Sequence, residues 1–284
     1  MYRFIEEHSP KYPVRLLCRR LEVSPSAFYR WKSVPVSPRA KANARLLEMI
    51  RTVYVVNRGV YGSPRIVRDL RELGEGCGRH RVARLMREHG IRAKTSRRFQ
   101  VTTKGDRFAR YAPDRLKRRF TIERANRAWV SDITYIWSRQ GWSYLAVVLD
   151  LYSRRVVGWE LGERITADLI ATALRKALEQ RGVDPGLVVH SDRGSQYISE
   201  RVQTILDDHR CLPSHGLSCY DNAVAESFFH TIKSEHLRFE QFTTRDEVRS
   251  SIFEYIEVFY NRRRRHSTLG MVSPVEFEQQ QATP

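Results

Sequence analysis

The spacing of apolar positions changes character along this chain, and each change marks a different kind of structure. In VRLLCRRLEV (14–23), Val14, Leu17 and Leu21 fall on one helical face. Ser24 and Pro25 then read as an N-cap followed by proline at the first helical position, opening a second short helix, SAFYRWK. Two short helices joined by a tight turn predict a helix-turn-helix or an ordinary helical hairpin. In the first case Arg30 and Lys32, on the second helix, contact DNA. A Pro/Ser spacer, SVPVSP (33–38), separates this pair from three more helical runs. ARLLEMIRTVYVV aligns Leu46, Leu47, Ile50, Val53 and Tyr54, and Tyr61-Gly62 breaks it. Ser63-Pro64 repeats the cap-and-proline start before RIVRDLREL, and RHRVARLMREHG runs to a C-capping Gly90. That last helix sets Arg79, Arg81, Arg84 and Arg87 opposite Val82, Leu85 and Met86. It predicts a DNA-facing basic surface, with a solvated charged face as the alternative.

Residues 92–120 show no sustained period, and their lysines and arginines, Arg97 and Arg98 among them, are opposed only by Asp106 and Asp114. This reads as an extended basic linker lying along a duplex, adding affinity rather than sequence choice. From about residue 127 the pattern becomes α/β. AWVSDITYIW alternates Ile133 and Tyr135 against Asp132 and Thr134, as a strand does, and GWSYLAVVLDLYSRRVVGWELG reads as two further strands joined through Asp150 to Arg154. Thr166 caps a long amphipathic helix, ADLIATALRKALEQRG, closed by Gly182. GLVVHSD, a short apolar run after a helix, predicts a buried parallel strand. Ser199 caps RVQTILDDH, CLPSHGLSCY reads as a loop, and DNAVAESFFHTIKSE as a helix. Capping boxes at Thr244/Glu247 and Ser273/Glu276 open two tail helices on either side of NRRRRH (261–266). The predicted divisions are a helix-turn-helix-like segment (1–36), a helical DNA-binding module (37–91), the basic linker (92–124), an α/β core (125–238) and a helical tail (239–284).

Composition narrows the class. With 284 residues, 41% hydrophobic, and 13 Tyr, 12 Phe and 5 Trp, the chain predicts a globular protein of two or more domains. No run approaches the roughly 18 apolar residues of a membrane span, and the N-terminus lacks a secretory apolar block. Four scattered cysteines, Cys18, Cys77, Cys211 and Cys219, fit a reducing compartment and predict a cytoplasmic location. A net charge of +18 calls for a polyanion, and nucleic acid is favoured over a membrane surface because no terminal segment forms a basic amphipathic helix.

In so basic a chain most acids have cationic neighbours, so three positions stand out. Asp132 sits within the first strand, Asp192 ends VVHSD, and Glu226 lies on the helix that follows Asp221-Asn222. Neither Asp has a Lys or Arg at the strand spacing that would neutralise it on the same face. Three converging acids repel one another unless divalent cations hold them, and oxygen-rich sites suit Mg²⁺ or Mn²⁺. Two such ions roughly 4 Å apart activate an attacking oxygen and stabilise a leaving one in phosphodiester chemistry. From the residues alone, Asp192 could equally pair with Arg193. His209, Cys211, His215 and Cys219 cluster, but their spacing matches no standard zinc finger. Asp150 reads as a turn acid paired with Arg154 and Arg155, Trp129 and Trp142 as core or sheet-packing aromatics, and Arg263 and Arg264 as phosphate contacts.

SDITYI, GWSYLAVVLDLYSR, HSDRGSQY, DNAVAESFFHTIKSE and YNRRRRHSTLG together resemble the integrase catalytic core of bacterial insertion-sequence transposases. From FIEEH through YGSPRI to SPVEF, the whole chain is similar to the B-frame proteins of the family founded on insertion sequence three. The resemblance implies an α/β RNase H-like catalytic core, a mixed five-stranded sheet with helices, preceded by all-α helix-turn-helix modules. It implies that Asp132, Asp192 and Glu226 form the Asp-Asp-Glu catalytic triad and hold two Mg²⁺ (or Mn²⁺) ions, Asp132 being shared. Lys233, two helical turns after Glu226, matches a lysine that touches terminal DNA in the wider superfamily, and Asn222 borders the site. The implied reaction is 3′-end cleavage and strand transfer of double-stranded DNA, transposon ends and target, by direct transesterification without a Ser or Tyr nucleophile. The implied setting is bacterial and nucleoid-associated, with a homo-oligomer of at least two copies whose working form is either this chain or its fusion to an upstream A-frame protein. A nuclease or resolvase of the same fold, and a non-catalytic end-binding regulator or relic, are the alternatives. One departure is visible: 226 − 192 − 1 = 33 residues separate Asp192 from Glu226, a shorter interval than the family's usual one.

Overall fold

The computed structural model describes residues 1–33, 36–94, 111–216 and 219–282, and the chain divides into two compact units, Met1–Ala93 and Lys94–Pro284. The first unit is helical. Helices α1 (Tyr2–His8), α2 (Val14–Arg20) and α3 (Pro25–Ser33) close around Ile5, Cys18 and Phe28, with Val14, Leu17 and Leu21 packed against them. Helices α4 (Pro38–Val56), α5 (Ser63–Glu72) and α6 (Arg79–Glu88) bury the stripes Leu46–Leu47–Ile50–Val53, Ile66–Val67–Leu70 and Val82–Leu85–Met86. The Ser37 hydroxyl caps α4 by accepting the Ala40 N–H at 3.1 Å. The Ser63-Pro64 pair acts one residue out of step, because Gly62 is the N-cap of α5 and Ser63 already lies inside the helix. No helix among the described residues is long and apolar enough to cross a membrane.

The second unit is built on strands β1 (Ala128–Ser138), β2 (Gly141–Asp150), β3 (Val156–Gly162), β4 (Val188–Ser191) and β5 (Leu212–His215). Their order is β3-β2-β1-β4-β5, antiparallel across β3, β2 and β1 and parallel across β1, β4 and β5. This mixed five-stranded sheet is the RNase H-like arrangement. Strand β5 forms from LPSH, inside a stretch that periodicity assigns to a loop. Four residues including a proline carry no alternation, and the strand exists because β4 supplies its partners, from Val188↔Leu212 to Ser191↔His215. Its place at the sheet edge is also what tolerates Pro213.

Helices α7 (Ala167–Arg181) and α8 (Glu200–Asp208) cover one face, packing Leu169, Leu174, Leu178, Val202 and Leu206 on Trp129, Ala146, Val148 and Val157. At Gly158 the approach is so close that a Cβ would lie 2.4 Å from the Ala173 carbonyl oxygen, so no larger residue fits there. The alternate β2 positions Leu145, Val147 and Leu149 are buried too, and α9 (Ala223–Glu235) contacts β1. Thr166 caps α7 and Gly182 closes it in the left-handed conformation, as their types predict. Ser199 occupies the N-cap of α8 but turns its hydroxyl to the Gln196 carbonyl at 2.8 Å.

The tail folds as part of this unit. The capping box of Thr244 and Glu247 opens α10 (Arg245–Phe253), which continues as a π-helical run over Glu254–Tyr260, and α11 (Pro274–Ala282) ends the described chain. Asn261, buried, accepts the Val156 N–H at 3.0 Å and donates to the Val156 carbonyl at 2.9 Å, taking the place of a strand neighbour at the open edge of β3. Glu278 on α11 accepts from Arg155, Arg181 and the Ser153 hydroxyl at 2.7 to 2.9 Å. Two expectations are corrected here. Asp150 is fully buried and accepts the Asn126 and Tyr152 N–H groups at 2.8 Å; its cation is Arg181 at 3.5 Å, since Arg155 is drawn to Glu278 and Arg154 donates to the Phe120 carbonyl. Arg264 is no phosphate contact: it is buried and makes two 2.6 Å hydrogen bonds to Glu235 at the end of α9, while Arg263 is exposed.

The Arg264–Glu235 pair yields a direct expectation. Glu235→Gln leaves a buried guanidinium without its counter-charge and lowers stability by about 3–5 kcal/mol in urea denaturation. The double change Glu235→Gln with Arg264→Met recovers most of that loss, whereas a DNA-contacting Arg264 predicts no stability change.

Candidate active site

The parallel pairing of β1 with β4 is three residues long, Ala128↔Val188, Trp129↔Val189 and Val130↔His190. Two residues beyond the last pair stand Asp132, still within β1, and Asp192, just past β4, close enough for the charge of Asp192 to act on Asp132. Asp192 lies just past β4 and its Oδ1 accepts the Gly194 N–H at 3.0 Å; Asp132 Oδ1 accepts the Ile133 N–H at 2.8 Å. Glu226 is in the first turn of α9. That helix is tied to β1 by Asn222, whose Nδ2 donates to the Ser131 carbonyl at 3.1 Å, one residue before Asp132. All three acids are half-buried, and among the described residues none forms an ion pair. Burial, and next the charge of Asp192, push the Asp132 carboxyl up to about 7. Burial also raises Asp192 and Glu226. The Lys233 ammonium lies 4.6 Å from the centre of the Tyr135 ring; burial lowers its pKa against the attraction of Asp132. Tyr197 is buried beneath the pair with its hydroxyl 3.2 Å from Ser131 Oγ, a packing position rather than a nucleophile's.

As they stand, no three His, Cys, Asp or Glu side chains among the described residues are gathered tightly enough to grip a metal ion. The three carboxylates meet as repelling charges rather than as a closed shell. The donor set nevertheless fits a hard divalent cation: oxygen ligands alone, and a central carboxyl whose pKa burial and the charge of Asp192 raise to about 7. Among the described residues no zinc site forms around Cys211, whose thiol is buried against the His209 carbonyl while His209 turns its Nδ1 to Ile205; the Cys219 side chain lies outside the described residues.

The end of the expected linker is a strap on this site. Tyr111 donates to the Arg193 carbonyl at 3.1 Å and carries the Arg193 guanidinium 4.8 Å above its ring, so Arg193 is committed to Tyr111 rather than to Asp192. The Arg115 N–H donates to Ser214 Oγ at 2.9 Å, Leu116 is buried, and Arg118 pairs with the buried Asp221 at 2.7 Å, just before Asn222. Asp114 Oδ1 is 3.8 Å from His190 Nδ1, which also meets Ser214 Oγ at 2.9 Å. Residues 111–120 thus bind the core instead of lying along a duplex.

A family model described as an integrase core domain matches residues 122–217, a second of the same description matches 226–281, and an HTH-like domain matches 41–99. The chain is 38% identical over 281 residues to transposase InsF of insertion sequence IS3A from Escherichia coli K12, covering 98% of both chains. The chain belongs to the InsF transposase family. An IS600 protein of 31 kDa from Shigella sonnei is 40% identical over 265 residues, 93% of this chain and 97% of that one. Among solved structures, the catalytic core of HTLV-2 integrase in complex with magnesium is 14% identical, with a TM-score of 0.40 over 54% of this chain and 96% of that one.

As a family member, the chain distributes its expected DNA-facing residues unevenly. Arg30 and Arg79 are exposed, and Lys32 is exposed with Glu6 at 4.0 Å. Arg81 donates to Asn43 at 2.9 Å and Arg84 bridges to Glu88 at 2.9 Å, so both are partly engaged within the helical unit. Arg97 and Arg98 lie outside the described residues. Asn222 is buried, its amide turned to β1 and not to a ligand surface. Trp129 is a core residue, but Trp142 is 45% exposed, beside Trp137 at 56% and Tyr135 at 47%. The short interval between Asp192 and Glu226 holds α8, β5 and a 3₁₀ turn, Cys219–Asn222.

If Asn222 ties helix to strand, Asn222→Ala costs about 1–3 kcal/mol of stability. Its affinity for duplex DNA, measured by fluorescence anisotropy, stays within about twofold of the parent; a larger loss would make it a DNA contact.

Proposed function

We propose that this chain is a DNA transposase that cleaves 3′ ends of an insertion sequence and transfers them by direct transesterification. The observation that carries the reading is the pair Asp132 and Asp192, set together just beyond the β1–β4 pairing with Glu226 near enough to act on Asp132, none of the three ion-paired among the described residues in a chain of net charge +18. A protein that neutralises its other buried acids with arginine and spares these three has reserved them for a cation from outside. Asp132, Asp192 and Glu226 would hold two divalent ions, Mg²⁺ or Mn²⁺, which would supply activation of the attacking oxygen and stabilisation of the leaving one. Asp132, on which the charges of both Asp192 and Glu226 act, would be the ligand common to the two ions. Asp192 is oriented by the Gly194 N–H, and Glu226 by the Asn222 tie that seats α9 on β1. Lys233, two turns beyond Glu226 on α9 and acted on by Asp132, meets the phosphate beside the scissile bond in this reading. Water first, and then a DNA 3′-OH, serves as nucleophile, so no side chain becomes bonded to DNA. The exposed arginines of the helical unit hold the transposon ends, and bringing two ends together calls for at least two copies of the chain. The working place is the bacterial cytoplasm at the nucleoid, and an upstream A-frame partner joined by fusion is compatible with the same site.

Incubated with terminal-repeat DNA and Mg²⁺, the protein is expected to join strands, and Asp192→Asn to reduce joining by at least about a thousandfold while leaving DNA binding unchanged. Joining that survives in Asp192→Asn removes Asp192 from the mechanism. A second expectation concerns pH. The protonated Asp132 carboxyl cannot ligate, and its pKa near 7 means that metal binding displaces a proton around neutrality. Mg²⁺ affinity by titration calorimetry is therefore expected to rise with pH through 7, by up to about tenfold per unit below it, with protons released on binding. A pH-independent affinity between 6 and 8 would contradict this.

A further inference from the structure

Beyond Val130, β1 has no pairing with β4, so from Asp132 onward that side of the strand is open. A groove of about 640 Å³ lies against the β1–β2 hairpin beyond that point, lined by Tyr135, Trp137 and Trp142 on the strands and by Lys233, Arg238 and Arg139. In the β1–β2 register Trp137 lies directly opposite Trp142, and Tyr135 is diagonal to it. The three rings are exposed by 45 to 56%, far more than sheet-packing aromatics need. Their contacts are edge-to-face, Tyr135–Trp142 at 5.2 Å and Trp137–Trp142 at 4.9 Å, which leaves indole faces unoccupied by the other rings. The acid in this groove, Glu240, is outnumbered by the cations Arg139, Lys233 and Arg238.

We infer that this groove is a stacking platform for unpaired bases of the DNA strand that enters the active site. The inference rests on the transposase reading and adds to it a second requirement, local opening of the duplex. Flat aromatic faces beside a row of cations are what single-stranded nucleic acid uses, the faces for bases and the cations for phosphates. The distances suit it. Tyr135 and Trp137 are three and five residues from Asp132 along β1, about 10 and 17 Å at ~3.3 Å per residue. That spans about three to five nucleotides at the duplex rise of ~3.4 Å. Lys233 joins the two places, interacting with Asp132 and covering the Tyr135 ring. A second copy of this chain is a poorer occupant, because a partner of net charge +18 would bring further cations against the groove's own.

The test uses the full chain in EDTA, so that binding is read without chemistry. The probes are a blunt duplex of about 20 base pairs and the same duplex with a few unpaired nucleotides at one 3′ end, the unpaired segment carrying 2-aminopurine. The forked probe is expected to bind about tenfold more tightly than the blunt one, with a change in 2-aminopurine emission. Trp137→Ala with Trp142→Ala should abolish the preference while blunt-duplex affinity stays within about twofold, and Trp142→Phe should retain most of it. Equal loss on both probes, or a change confined to the sedimentation coefficient, would overturn the platform and point to a protein partner. The two readings fail separately. A tryptophan-dependent preference in a protein that joins no strands refutes the transposase mechanism and leaves the platform, and normal joining without the preference does the reverse.

Discussion

Everything around the candidate site answers one electrostatic constraint: two carboxylates, one within β1 and one just past β4, stand together where the parallel pairing of those strands ends. The register of β1 and β4 makes their proximity unavoidable, and half-burial strengthens the repulsion between them. A fold that relied on those side chains for cohesion would open at this point. Cohesion comes instead from groups just behind them. The Asn222 amide bonds the Ser131 carbonyl, Tyr197 fills the space beneath, and the 111–120 strap is pinned at Arg193, Ser214 and Asp221. The acids thereby take no part in holding this region of the fold together.

The same division of labour separates the chain's arginines, and composition could not have revealed it. A count of 50 Lys and Arg says that a polyanion is wanted, not which side chains meet it. Arg264, in a run of four arginines, holds Glu235 in the interior; Arg155 and Arg181 hold Glu278; Arg118 holds Asp221. Each of these acids lies far from its cation in sequence, so the pairing is set by tertiary structure and leaves no local signal. The arginine run of the tail is thus partly an internal fastener, with Arg263 on its outer side.

Where local physics decides, the sequence was legible. Alternation at Ile133 and Tyr135, the apolar run of GLVVHSD, the Thr166 and Gly182 caps and the Thr244 box all foretell β1, β4, α7 and α10 with nearly their observed bounds. The grouping of Asp132, Asp192 and Glu226 was legible through motif resemblance, since nothing in the spacing of three acids specifies a β1–β4 register. Strand β5 and the strap were not legible, because both take their structure from a partner rather than from their own pattern. The exposure of Trp142 escaped notice for a related reason: alternation says which residues share a face but not whether a helix extends far enough to cover it.

Asn261 shows how a single side chain can decide whether a protein remains separate from its neighbours. Strand β3 is the sheet's outermost antiparallel member, and a bare edge of that kind recruits the strands of other molecules. By bonding both backbone groups of Val156, Asn261 plugs the edge at its start, and Arg249 on the Leu161 carbonyl blunts it further along. A chain cut short before this asparagine would keep all three site carboxylates and still present an unguarded template for polymerisation. Loss of the tail would therefore register as insolubility before it registered as altered chemistry.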